Sequence, residues 1–267
     1  MRFFRDLHGF IGLECMLCIL APIASAADDD NSELRLSVGF DYSSGNYGTA
    51  DKTKVWSNSY GLIYDRGDYS FDLTMPYINQ NGPTGTFLVA GGRAVRINGQ
   101  PVSQTATVNG WGDVVAGVTR YISLSDESDL QFDVRGFIKF GTADATKGLG
   151  TGKNDYSLQT DLYVPYGNWN VLGSLGYTVP TSPSEIQLQN YWFASIDGSY
   201  KISDKYKVGA TFAYQKTEVA GTPDPQDVQI YFRRGVGKAS SVRIYMLKGL
   251  SNGSPSWGGG ASAMISF

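Results

Sequence analysis

Hydrophobic and polar residues alternate along most of the chain. Between residues 33 and 42, Leu34, Leu36, Val38, Phe40 and Tyr42 alternate with Arg35, Ser37, Gly39 and Asp41. Successive side chains of a strand point to opposite faces, so this segment predicts a strand with one apolar face and one polar or small face. The pattern returns with Tyr69, Phe71, Leu73, Met75 and Tyr77 against Ser70, Asp72, Thr74 and Pro76. It returns again with Tyr156, Leu158, Leu162 and Val164 against Asp155, Ser157, Gln159 and Asp161. A fourth clear case sets Tyr206, Val208, Ala210, Phe212 and Tyr214 against Lys207, Gly209, Thr211 and Gln215. The spacing predicts strands over 33–42, 55–65, 69–78, 111–122, 130–140, 154–166, 169–179, 189–200, 206–216, 227–234, 240–248 and 256–267. Two are weakly patterned: Asn58 falls on the apolar face of 55–65, and either face of 111–122 could be the outer one.

The connections sort by parity. Arg66–Asp68, Ser123–Asp129, Gly167–Asn168, Lys201–Lys205 and Gly235–Ala239 are short, whereas 43–54, 79–110, 141–153, 180–188, 217–226 and 249–255 are longer. Short turns on one side and long loops on the other, with an even strand count and strands of about 9–11 residues, are the marks of an outer-membrane barrel. Charges on the predicted apolar face occur only at strand ends, at Arg120, Arg234 and Lys248, where a long side chain reaches the interface. Aromatic residues crowd the same ends: Tyr42, Tyr64, Tyr69, Tyr77, Tyr156, Tyr166, Trp169, Tyr177, Tyr200, Tyr206 and Tyr214. Such rings favour the headgroup level. The other face carries Arg35, Asp72, Asp113, Asp133, Arg135, Lys139, Asp161, Lys207, Arg233 and Arg243, charges that a dry core would tolerate only as paired networks. The fold class expected is therefore all-β, a transmembrane antiparallel up-and-down β-barrel of about 12 strands, with outer-membrane lipid around it.

Composition narrows the chemistry. Residues 1–26 read as a secretory signal peptide: Arg2 and Arg5, then a mostly apolar run from Phe10 to Leu20, then Ala24-Ser25-Ala26, with cleavage expected after Ala26. That leaves 27–267 as the barrel. The chain's single His (His8) and both cysteines (Cys15 and Cys18) would leave with the signal. The mature chain then has no Ser–His or Asp–His pair, no thiol nucleophile and no Cys/His zinc site. No enzyme activity, metal or cofactor is expected. Asp133 and Asp161 could in principle form a general acid/base pair, but Arg135, Lys139 and Lys207 stand near enough in the pattern to pair with them. Gly148-Leu149-Gly150-Thr151-Gly152-Lys153 lacks the spacing and the strand–loop–helix context of a phosphate loop. The formal net charge of −3 argues against nucleic acid as a partner.

Connection 79–110 is unusually long. It holds Phe87-Leu88-Val89-Ala90, then Gly91-Gly92, which could turn a small hairpin, then Arg93-Ala94-Val95-Arg96. Two readings stand: an inward-folded constriction in which Arg93 and Arg96 offer anion contacts, or two strands extended above the membrane.

Gly110-Trp111-Gly112-Asp113, followed by Val114 to Tyr121, and Lys147-Gly148-Leu149-Gly150-Thr151-Gly152-Lys153-Asn154-Asp155-Tyr156, followed by Gly167-Asn168-Trp169-Asn170 and Leu175-Gly176-Tyr177, together resemble the outer-membrane transporter family labelled for the MetA pathway of phenol degradation. The resemblance covers about residues 110–178. It departs from the family where Phe140-Gly141-Thr142-Ala143 stands in place of a frequent Pro-Thr-Gly. It implies a barrel with a transport role. It also marks Gly110, Gly112, Asp113, Gly150, Gly152, Asp155 and Tyr156 as motif positions, Asp113 and Asp155 bracing the barrel rim. The final strand, ending on Phe267, resembles the terminal-aromatic signal read by the barrel assembly machinery.

Twelve strands lie between a filled eight-stranded interior and an open sixteen-stranded channel. Small inward residues (Ser37, Gly39, Ser70, Thr74, Gly117, Ser157, Ser174, Gly176, Gly209 and Thr211) would leave a narrow pore. The expectation is a monomeric passive channel for small solutes, with anions, cations and aromatic or other organic compounds all left open. Its lumen candidates are Arg35, Asp72, Asp133, Arg135, Lys139, Asp161, Lys207, Arg233 and Arg243. The alternative is a barrel sealed by its own salt bridges.

Overall fold

In the computed structural model, which describes residues 32–47, 51–83, 86–89, 93–96, 105–124, 130–184, 186–236 and 240–267, the chain is built from strands and one short 3-10 turn, Ala145–Lys147. The expected signal segment 1–26 lies outside the described residues. The strands are β1 (Ser32–Gly45), β2 (Thr53–Arg66), β3 (Tyr69–Pro83), β4 (Thr86–Val89), β5 (Arg93–Arg96), β6 (Thr105–Trp111), β7 (Val114–Ser123), β8 (Gln131–Phe140), β9 (Asp155–Tyr166), β10 (Trp169–Pro180), β11 (Tyr191–Lys201), β12 (Tyr206–Gln215), β13 (Gln226–Val236), β14 (Ser240–Gly249) and β15 (Trp257–Ser266).

Each wall strand pairs antiparallel with its neighbour, in the order β1, β2, β3, β7 and then β8 through β15. The cylinder closes where β1 meets β15, from Arg35 opposite Ser266 to Ser44 opposite Trp257. The expected twelve segments are these wall strands. The three further strands, β4, β5 and β6, all arise within connection 79–110. β3 runs on to Pro83, where β6 pairs with its outer half, Tyr77–Pro83, while β7 pairs with its inner half, Tyr69–Thr74. The break between β6 and β7 falls at Gly112 and Asp113, opposite Pro76. Proline has no N–H to give the ladder, and the Gly112 N–H instead donates to the Pro76 carbonyl at 2.8 Å.

Alternating exposure settles which face is outer. On β7 Val118 and Arg120 face out while Val115 and Thr119 are buried. On β2 Asn58 does lie on the outer face, flanked in register by Phe40 and Tyr77. Leu36, Leu158, Leu175, Ile196, Ile230 and Ile244 stand between 45% and 57% exposed around the outside. An apolar band of this extent is far larger than the patches that water-soluble monomers expose and matches a lipid-facing belt. Aromatic rings edge it. Tyr42 packs against Trp56 and Trp257, Tyr77 against Trp111, and Trp192 against Tyr214 at one end. Trp169 meets Tyr200, and Tyr206 meets Phe232, at the other. Arg120 and Arg234 lie over the Tyr69 and Tyr206 rings, 5.9 and 5.7 Å from their centroids, so these two outward charges are held at the girdle.

Candidate functional site

The inner wall carries every charged lumen candidate, but it is not uniform. Over β1, β2, β3, β7 and β8 the cations are locked to carboxylates. Arg35 of β1 pairs with Asp65 of β2, and both are buried. The Tyr121 hydroxyl also donates to Asp65. Arg135 of β8 reaches across β7 to Asp72 of β3, its Nε donating to Oδ1 at 3.3 Å and its Nη2 to Oδ2 at 2.8 Å. The guanidinium also lies 4.3 Å from the Phe137 ring centroid. Gly117 of β7 makes this crossing possible, since a Cβ there would meet both the Asp72 carboxylate and the guanidinium. Asp133 takes a hydrogen bond from Gln131, and Asp161 takes bonds from Gln159 and Ser174.

Glycine on this wall is covered rather than open. Phe193 of β11 lies over Gly176 of β10, joining Val115, Phe137 and Tyr191 in an apolar cluster inside the barrel. Tyr231 of β13 lies over Gly209 of β12 in the same way. The expectation that small residues leave a pore therefore fails at Gly117, Gly176 and Gly209, where a neighbour's side chain takes the space. Gly176→Ala is expected to destabilise the barrel by about 1–3 kcal/mol, the usual cost of overpacking. Urea unfolding of the refolded barrel in phospholipid vesicles would read it, and an unchanged midpoint would show that Phe193 moves away at no cost.

Strands β12 to β14 differ. Lys207, Arg233 and Arg243 stand directly opposite one another in register, all facing inward and all partly exposed to the interior. Like charges opposed across strands normally destabilise a sheet. The Arg243 guanidinium lies 4.2 Å from the Tyr231 ring centroid and 5.9 Å from that of Tyr245. Arg233 donates to Ser241 at 3.4 Å. Two carboxylates within electrostatic reach of Arg243 are held by hydroxyl groups: Asp197 by Thr211 and Tyr231, and Asp41 by Tyr245.

At the long-loop end a second construction ties the end of β8 to the starts of β7 and β9. Lys139, near the end of β8, donates to Asp113 at 2.8 Å and to the Lys153 carbonyl at 2.9 Å, with Asp155 3.3 Å away. Asp113 also accepts the Ala143 N–H, and Asp155 the Thr181 N–H. The two motif stretches meet here through one lysine. Gly150 packs under the Asp113 carboxylate, where a Cβ would collide. Gly112 sits against the Pro76 and Ile78 side chains, and Gly110 against Leu149. Gly148 and Gly152 adopt φ of 73° and 64°, which favours glycine. Tyr156 points outward into the girdle. Lys139 is thus the centre of a buried rim cluster rather than a residue of the solvated wall.

The β4–β5 hairpin docks onto this rim. The Leu88 N–H donates to the Gly148 carbonyl at 2.9 Å, and Leu88 and Ala94 pack with Val55, Ile78, Ala143 and Leu149. Val55 and Ile78 face into the barrel, so the hairpin caps part of the mouth. The turn residues Gly91 and Gly92, and the side chains of Arg93 and Arg96, lie outside the described residues.

The remaining long loops form a hydrogen-bonded crown. Leu188 bridges Val219, and the Gln189 N–H donates to the Glu218 carbonyl at 2.8 Å. Asp224 accepts from the Tyr214 hydroxyl, the Lys216 ammonium and the Thr217 N–H. Partial burial pushes this carboxyl up, but the three donors outweigh it and hold it below the ordinary carboxylate range. A group with a depressed folded pKa contributes stability fully above its unfolded value, about 3.9 for Asp. That contribution is lost as pH falls through the folded value. Pepsin is therefore expected to nick 216–225 before the strands once pH drops below the ordinary carboxylate range. Uniform cleavage along the chain would contradict this.

Sequence reading placed these charges on the inner face but missed Asp41, Asp65, Asp197, Tyr231 and Tyr245, which complete the networks. Their inward parity was visible. Their partners were not, because the contacts cross many residues of sequence.

The family model described as "Putative MetA-pathway of phenol degradation" matches residues 29–267. No curated protein matches the chain's sequence. Among solved structures the chain is similar to the COG4313 outer membrane channel from Pseudomonas putida F1, with a TM-score of 0.69 at 10% identity over 90% of this chain and 97% of that one. It is similar also to the KdgM porin, at 0.52 and 8% identity over 86% and 99%. A third is the translocator domain of autotransporter NalP from Neisseria meningitidis, at 0.51 and 11% identity over 90% and 89%. Identities this low speak for fold: a closed outer-membrane barrel. With the sequence match running over residues 29–267, the chain belongs to the MetA-pathway-of-phenol-degradation family.

Proposed function

We propose that the protein is a monomeric passive channel for small solutes across the outer membrane of a Gram-negative cell. It reaches that membrane by a signal peptide cleaved after Ala26 and is inserted by the barrel assembly machinery through the strand ending in Phe267. One observation carries this reading: inside a cylinder with an apolar exterior, the inner residues Asp161, Lys207, Gln229, Tyr231, Arg233 and Arg243 remain partly exposed. A wall meant only for packing would bury such groups. The similar folds described as an outer membrane channel and a porin support the same reading. Selectivity is assigned to Asp161, Lys207, Arg233 and Arg243, because Arg35, Asp72, Arg135 and Lys139 are buried in ion pairs and Asp133 is itself buried. Transport needs no catalytic group.

The buried pairs favour a second reading, a sealed barrel. Purified folded protein in planar bilayers decides between them. The channel is expected to give discrete, reproducible current steps, and solute-dependent swelling when reconstituted in liposomes. A membrane that stays silent at high protein loading would sink the channel and leave the sealed barrel.

A further inference from the structure

We propose that the row Lys207–Arg233–Arg243 is a binding strip for a small monoanionic carboxylate, with the Arg243 guanidinium as its fork. The inference rests on the channel reading for its purpose but not for its geometry. Arg35, Arg135 and Lys139 each face a carboxylate within ion-pair distance. Arg243 does not: among the described residues its only contacts of this kind are the faces of Tyr231 and Tyr245, and its Nε is buried without a hydrogen-bond partner. A guanidinium carries five donors in a planar fork, and leaving such donors unmet inside a protein is costly. Stacking on Tyr231 fixes the plane and leaves the fork edge for a planar, two-oxygen acceptor, the geometry of a carboxylate.

Register supplies the rest of the strip. Lys207 and Arg233 sit on the next two strands at the same level and add positive potential beside the fork. Asp41 and Asp197 lie within electrostatic reach of Arg243. A single guanidinium fork engages one planar carboxylate, which suits a monoanion over a dianion. The flanking Tyr231 and Tyr245 rings favour a carboxylate with an apolar or aromatic body. Across the bore Asp133 and Asp161 stand opposite each other on β8 and β9. The carboxylate pair and the cation row therefore lie on different sectors of the wall, separated by β10 and β11 on one side and by β15, β1, β2, β3 and β7 on the other.

The test is equilibrium binding of benzoate to the full folded barrel in detergent, followed by tyrosine fluorescence or isothermal calorimetry. Neutral benzamide and inorganic phosphate serve as comparison ligands. Saturable benzoate binding is expected, with benzamide at least about tenfold weaker, a factor equivalent to one charge-assisted hydrogen bond. Arg243→Gln is expected to weaken benzoate by about tenfold or more, and Arg243→Lys, which keeps the charge but not the fork, by less. Arg243→Gln also removes the cation beside Asp41 and Asp197, so its urea midpoint is read alongside and the proposal is judged on the change in preference for benzoate over benzamide. A structural role would lower that midpoint without changing ligand preference. Equal binding of benzoate and benzamide, tighter binding of phosphate, or benzoate affinity unchanged in Arg243→Gln would each overturn the proposal. Bilayer recordings separate the two readings. Benzoate binding by a barrel that passes no current would end the channel but keep the strip. Current through a barrel indifferent to Arg243→Gln in both benzoate affinity and ion preference would keep the channel and end the strip.

Discussion

Replacing Asp72 with alanine is expected to lower the stability of the folded barrel by about 3–5 kcal/mol, the cost of breaking a buried ion pair from one side. Asp72 and Arg135 are 5% and 2% exposed at their side chains, and the two bonds between them are the bidentate kind. Loss of the carboxylate would strand the guanidinium against the Phe137 ring, where water cannot replace what was lost. The double variant Asp72→Leu with Arg135→Met removes both charges and should recover most of the difference, since a buried pair replaced by apolar residues of similar volume is often neutral or stabilising. Urea titration of protein refolded into vesicles would measure all three. If Asp72→Ala alone unfolded at the parent's midpoint, water would have to reach Arg135, and the packed sector of the interior described above would not exist.

That packed sector shows where reading from sequence stops. The strands were legible because a barrel wall between lipid and an aqueous or polar bore imposes period two along its whole length. Leu34 to Tyr42 could hardly be anything else. Even Asn58, which breaks the apolar face, lies where alternation placed it. The segment 111–122 was ambiguous for a physical reason: Pro76 interrupts the ladder opposite Gly112, so the strand divides and its first residues follow a different pairing. In connection 79–110 Gly91-Gly92 pointed to a small hairpin, but β6 stayed hidden because so short a strand carries too few periods to reveal a face.

Facing was legible, and pairing was not. Asp72 and Arg135 are separated by 63 residues, and Asp41 and Tyr245 by 204. Only the barrel's closure and register bring such positions together. The glycines mislead for the same reason. Gly117, Gly176 and Gly209 look like open space in a sequence, but the space belongs to side chains from adjacent strands.

Lys139→Met is expected to produce the largest effect at the mouth. The lysine joins Asp113, ahead of β7, to Asp155 at the start of β9, and also binds the Lys153 carbonyl. Methionine keeps much of the stem's packing but leaves two nearly buried carboxylates beside each other with no cation, so a loss of about 3–5 kcal/mol is expected. The consequence should be directional. Asp113 holds the Ala143 N–H, and Gly148 holds the hairpin through Leu88, so repulsion between the two aspartates would loosen 141–153 and then the β4–β5 cap. Amide exchange should accelerate first in these segments, while β12 to β15, which pair with none of β7, β8 and β9, keep their protection. Adding Asp113→Asn to Lys139→Met removes the repulsion and preserves acceptance of the Ala143 N–H, and should restore much of the loss. Were exchange to rise equally around the whole wall, the rim cluster would be one with the cylinder's general stability and not a separate clamp on its mouth.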